Sequence, residues 1–125
     1  MSAVKHRQLS PHFNVWEFRC RCGCGFGLQP GDVDQRLVDG LEELRETFGG
    51  PLIVNSGCRC AKHNGKKDTG GVSGSQHTQG KAADIKCSDK ARLLRLAKTI
   101  PAFRDGGIGV YSWGVHLDVG PKRRW

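Results

Sequence analysis

Apolar residues recur at helical spacing most clearly at Val33, Leu37, Leu41, Leu44 and Phe48, which fall on one stripe. That period predicts an amphipathic helix buried along one side. Asp32 stands where a cap belongs, with Gln35 three residues on as in a capping box. Gly49-Gly50 and then Pro51 end the pattern. A short apolar run at 52–55 reads as a buried strand, and 82–86 as another. Between them, residues 57–74 form a long, glycine-rich polar loop, a length that in a compact domain usually goes with function.

Ser88 is placed to cap a second helix over 89–100, with Leu93, Leu96, Ala97 and Ile100 inward and Pro101 as its end. Residues 107–111 and 115–119, joined by Ser112-Trp113-Gly114, predict an antiparallel hairpin. Residues before Phe18 show no period and read as an irregular arm anchored by His12, Phe13, Trp16 and Phe18. The order helix, strand, loop, strand, helix, hairpin predicts an α+β fold, a small antiparallel sheet packed with two main helices. Residues 1–125 are expected to form a single domain, with 1–27 as an N-terminal arm carrying a cysteine-rich loop.

Composition narrows this picture. A chain of 125 residues with 18 glycines fits one modest core surrounded by turns. No apolar run is long enough for a transmembrane segment. Met1 to Ser10 lack the apolar stretch of a secretory signal, so synthesis in the cytoplasm and action at the cell wall after release, or within a phage particle, is the expectation. The net charge of +8 favours an anionic partner. Nucleic acid is not expected: Lys62, Lys66 and Lys67 have few aromatics near them for base stacking. A monomer is expected.

The chemistry concentrates in Ser75-Gln76-His77-Thr78-Gln79-Gly80-Lys81-Ala82-Ala83-Asp84 and in Gly114-Val115-His116-Leu117-Asp118. Gly80 lets the chain bend between a loop histidine and a strand aspartate. Strand alternation puts His116 and Asp118 on one face. Two imidazoles and one carboxylate suit zinc, and three protein ligands leave one position for water, as in catalytic sites. Such a water has a pKa of about 7 and supplies hydroxide for attack on an amide.

These residues resemble the zinc D-Ala-D-Ala carboxypeptidases and L-alanyl-D-glutamate endopeptidases, which share a core with the hedgehog signalling domain. The pattern is carried by Ser75, His77, Gly80, Ala82, Asp84 and His116, with support from Asn55-Ser56-Gly57-Cys58-Arg59, His63-Asn64, Gly70-Gly71, Gly107-Ile108-Gly109-Val110-Tyr111 and 115–125. The resemblance implies His77, Asp84 and His116 as ligands of one catalytic zinc and peptidoglycan stem peptides as substrate. It places Arg59 near the metal, where a guanidinium can hold a substrate carboxylate or steady an oxyanion. Ser75 and Trp113 join Arg59 as expected substrate contacts.

One departure stands out. Many relatives carry an acidic base three residues before the strand histidine, or a histidine two before; here these are Trp113 and Gly114. Asp118 is then the candidate base, with orientation of a ligand histidine as its equal alternative. A binding module that retains zinc without catalysis is the competing function. Of the six cysteines, Cys20, Cys22 and Cys24 alternate with single residues, Cys58 and Cys60 flank Arg59, and Cys87 stands apart. Disulfides are the first expectation for them, and a second, structural zinc the lesser one.

Overall fold

The computed structural model describes residues 8–29, 31–59 and 76–125. The predicted loop beyond Arg59, with Cys60, His63-Asn64, Gly70-Gly71 and Ser75, lies outside the described residues.

The fold is α+β. Strands β1 (Gln8–Ser10) and β2 (Phe13–Asn14) form a small antiparallel pair, followed by the one-turn helix α1 (Val15–Phe18). Helix α2 (Gln35–Phe48) leads to β3 (Ile53–Ser56), a 3-10 turn at Gln76–Gln79, and β4 (Ala82–Lys86). Helices α3 (Lys90–Ala97) and α4 (Pro101–Arg104) precede β5 (Gly107–Tyr111), β6 (Gly114–Asp118) and β7 (Arg123–Arg124). The main sheet runs β3-β4-β6-β5-β7; the first four strands pair antiparallel, and β7 adds to β5 in parallel.

The apolar stripe behaves as its period requires. Leu37, Leu41, Leu44 and Phe48 are buried along α2 and join Ala83, Ile85, Ile108, Val115 and Leu117 in one core with Leu93, Ala97 and Phe103. One face of the sheet therefore packs on helices. Alternation sends Asp84, His116 and Asp118 to the other.

Several boundaries differ from expectation. The α2 cap is Asp34, whose side chain accepts the Arg36 amide; Asp32 instead receives the amides of Gly27 and Gln29, holding the preceding turn. Asp89 rather than Ser88 caps α3, accepting the Arg92 amide. Pro101 begins α4 rather than merely ending α3, consistent with a preset φ at a first helical position.

From Gln8 on, the arm is not irregular. Asn14 accepts the Trp16 amide while Glu17 accepts the Asn14 amide, a capping box that nucleates α1. Phe13 and Phe18 are fully buried, but Trp16 is half-exposed. Glu42 on α2 ties the arm down, receiving hydrogen bonds from the Ser10 hydroxyl and the His12 amide at 2.7 and 2.8 Å, with the His12 ring on its other oxygen.

Candidate functional site

Strand register builds the centre of the site. Asp84 on β4 stands directly opposite His116 on β6, so their side chains emerge as neighbours on one face. His77 reaches them from the 3-10 turn. The chain reverses at Gly80 with a φ of 69°, and a Cβ there would collide with the Asp32 carbonyl. Gly80 also accepts the amide of Asp34, which fastens this turn to the start of α2.

Three atoms converge. His77 Nε2 lies 3.2 Å from Asp84 Oδ1 and 3.2 Å from His116 Nδ1, and His116 Nδ1 lies 3.0 Å from Asp84 Oδ1. Their outer partners define the protons. His77 Nδ1 meets the Gly57 carbonyl at 2.6 Å and must donate to it. His116 Nε2 meets Asp118 Oδ2 at 2.8 Å and must donate there. In neutral imidazoles that leaves His77 Nε2 and His116 Nδ1 as lone pairs, aimed at each other and at a carboxylate oxygen.

Three acceptors turned on one point in a buried site are costly without a shared cation. A tetrahedral zinc bonded at 2.0–2.2 Å sets ligand atoms roughly 3.3–3.5 Å apart. The observed triangle needs to open by only a few tenths of an ångström. His77, Asp84 and His116 therefore fit a divalent metal by donor type and by spacing.

A proton shared with Asp84 on the same ring nitrogens is the alternative to a cation, and the electrostatics describe that form. Burial works to raise the Asp84 pKa, but the hydrogen bonds of His116 and His77 outweigh it and hold the carboxyl well below the usual range. Burial works to lower that of His116, and its bonds to Asp118 and Asp84 override this and raise it. The carboxylates thus draw positive charge into the site.

The other expected residues fall at graded distances. Arg59 is buried, with Nη2 4.0 Å from Asp84 Oδ2, the oxygen turned away from His116 Nδ1. Its amide donates to the His77 carbonyl at 3.0 Å. Asp118 is fully buried on the far side of His116; its Oδ1 receives the amides of Gly107 and Gly120 at 2.9 and 3.0 Å. Trp113 sits on the β5–β6 turn, stacked on Tyr111 at 5.0 Å between centroids and 40% exposed. Ser75 lies outside the described residues.

Two contributors were not anticipated. Trp125 lies 4.9 Å from the His116 ring and donates its indole N–H to the Tyr111 hydroxyl. Trp113, Tyr111 and Trp125 thus make an aromatic row that ends against His116. Arg123 on β7 approaches Asp118 Oδ2 at 3.7 Å. A sequence signal existed for the first: Gly109 pairs with His116 across β5 and β6, and a Cβ there would strike the Trp125 ring. A glycine inside a strand marks such a close approach.

A family model described as Peptidase M15 matches residues 11–118, which span every described residue of the trio. No curated protein matches the chain.

Proposed function

Because the chain belongs to the peptidase M15 family, we propose that it is a zinc peptidase hydrolysing D-amino-acid-containing peptide bonds of bacterial peptidoglycan, as a carboxypeptidase or endopeptidase. The observation that carries this reading is the convergence of His77 Nε2, Asp84 Oδ1 and His116 Nδ1, with the other nitrogen of each ring already hydrogen-bonded and Arg59 4.0 Å from the other Asp84 oxygen. When bound, zinc supplies Lewis acidity and lowers the pKa of a coordinated water.

The chain's own residues supply the rest. His77 and His116 are fixed as single tautomers by Gly57 and Asp118, so each presents a lone pair without rotating. Asp118 is a positioning residue here: both oxygens are committed, one to His116 and one to two amides. Arg59 stands beside Asp84 with a buried guanidinium, suited to grip a peptide carboxylate or the oxygen that gains charge during attack. Trp113, Tyr111 and Trp125 offer flat apolar surface to the peptide. The net charge of +8 favours adsorption to an anionic wall, and a phage or prophage lysis or tail-associated role is consistent with it.

A second reading rests on the commitment of Asp118 and on Trp113 at the position where an acid is expected. It is a wall-binding module that holds zinc without cutting. Mass analysis of fragments released from purified peptidoglycan separates the two. The zinc-loaded protein is expected to release shortened or cleaved stem peptides, and His116→Ala none. Wall binding with full zinc occupancy and no new fragment overturns the enzymatic reading.

A further inference from the structure

The cysteine loop that the peptidase site does not use has the makings of a second metal centre. The sulfurs of Cys20, Cys22 and Cys24 all lie within 4.8 Å of one another. Cys20 and Cys22 are 3.4 Å apart, well beyond the roughly 2.05 Å of an S–S bond. Zinc with four thiolates at about 2.3 Å places them about 3.8 Å apart, compatible with the 3.4 Å between Cys20 and Cys22 and with the 4.8 Å bound on all three. A disulfide satisfies sulfurs in pairs, whereas three sulfurs turned on one point match the corners of a coordination polyhedron.

The backbone accounts for the convergence. Gly23 and Gly25 turn the chain with φ of 84° and 93°. The Cys20 amide donates to the Phe26 carbonyl at 2.7 Å, and the Gly23 amide to the Cys20 carbonyl at 3.2 Å. Alternating residues that would project from a strand are instead wrapped around one centre. Cys20 is buried while Cys22 and Cys24 are exposed, which leaves the site open to metal from solvent. The Arg21 guanidinium donates to the Val54 carbonyl at 3.0 Å and ties the loop to β3.

The loop is wired to the catalytic trio. Phe18, two residues before Cys20, accepts the Cys58 amide at 2.8 Å. Gly57, preceding Cys58, accepts the His77 ring N–H, and Arg59, following it, donates to the His77 carbonyl. A rigid cysteine loop therefore fixes the segment that orients His77 and presents Arg59.

We propose that Cys20, Cys22 and Cys24 bind a structural zinc ion, distinct from the His77–Asp84–His116 site, that locks the 57–59 segment in place. Binding converts three thiols to thiolates with release of three protons, and no electrons move. Water or another donor would complete the tetrahedron; the Cys58 thiol is directed at the Asp32 carbonyl at 3.9 Å.

Cobalt substitution of the full chain under reducing conditions tests this without relying on activity. The unmodified protein is expected to bind two cobalt ions and show an intense thiolate-to-cobalt charge-transfer band in the near ultraviolet. His77→Ala/His116→Ala should bind one ion and keep that band, even if the peptidase reading fails. Cys22→Ser/Cys24→Ser should bind one ion and lose it. Absence of the band in the unmodified protein overturns the proposal, even if either variant misfolds. So does an intact mass of protein purified under mild, non-reducing conditions that shows disulfides within the trio in place of metal.

Discussion

Asp118 accepts the Nε2–H of His116 at 2.8 Å from two residues along the same strand. Residues i and i+2 share a face, so the acid meets the side of the imidazole remote from Asp84 and His77. Asp118→Asn keeps the shape but removes the charge and permits the wrong tautomer. Zinc affinity is expected to fall about 10- to 100-fold, as for other partners that orient metal-bound histidines. Competition with a chelator measures this. Unchanged zinc affinity with lost turnover would instead mark Asp118 as the base.

Gly80→Ala tests the turn between two ligands. The left-handed backbone alone costs a non-glycine residue about 1–2 kcal/mol, and the new methyl meets the Asp32 carbonyl. The melting temperature and metal affinity should fall together. A variant with wild-type values for both would show that the turn tolerates a side chain.

Glu42 gives a pH dependence at the arm, apart from the His77–Asp84–His116 trio. Burial raises its pKa, but hydrogen bonds from Ser10 and His12 prevail and hold it below the ordinary carboxylate value. A depressed folded pKa contributes stability that is present above the unfolded value, about 4.3. That stability is lost as pH falls through the folded value. Glu42→Gln should cost about 2 kcal/mol at neutral pH, the scale of hydrogen bonds to a charged group. It should also flatten the decline in stability below about pH 5. Urea denaturation at several pH values reads both effects.

Trp125→Ala removes the ring beside His116 and the partner of the Tyr111 hydroxyl. Because Trp125 is 44% exposed, stability should change little. KM for a stem peptide should rise several-fold while kcat holds. A large loss of kcat with KM unchanged would place Trp125 in the chemistry rather than in substrate binding.

The sequence carried much of this, for identifiable reasons. Leu37, Leu41, Leu44 and Phe48 keep a period that survives any tertiary context, so α2 is legible; β4 is legible as a short apolar run and the final hairpin through its Ser112-Trp113-Gly114 turn. A bendable Gly80 and a strand histidine make the clustering of His77, Asp84 and His116 possible, the family resemblance implies it, and only register shows that Asp84 and His116 are direct cross-strand partners. What was missed depends on long-range pairing. β7 exists because Arg123 and Arg124 pair with Gly107 and Ile108, and nothing local in a basic dipeptide announces a strand. Competing caps also misled: Asp32 and Asp34 are chemically equal candidates, and the turn at Gly27 claimed the first. The capping box from Asn14 to Glu17 is written in the sequence, but no apolar period surrounds it to mark a helix there.

Diffraction from zinc-loaded crystals at the metal's absorption edge tests the central claim most directly. The account predicts an anomalous peak bonded at about 2.0–2.2 Å by His77 Nε2, Asp84 Oδ1 and His116 Nδ1, with its remaining position facing solvent. A peak absent from this trio, or one whose fourth position is closed by a protein side chain, would contradict it.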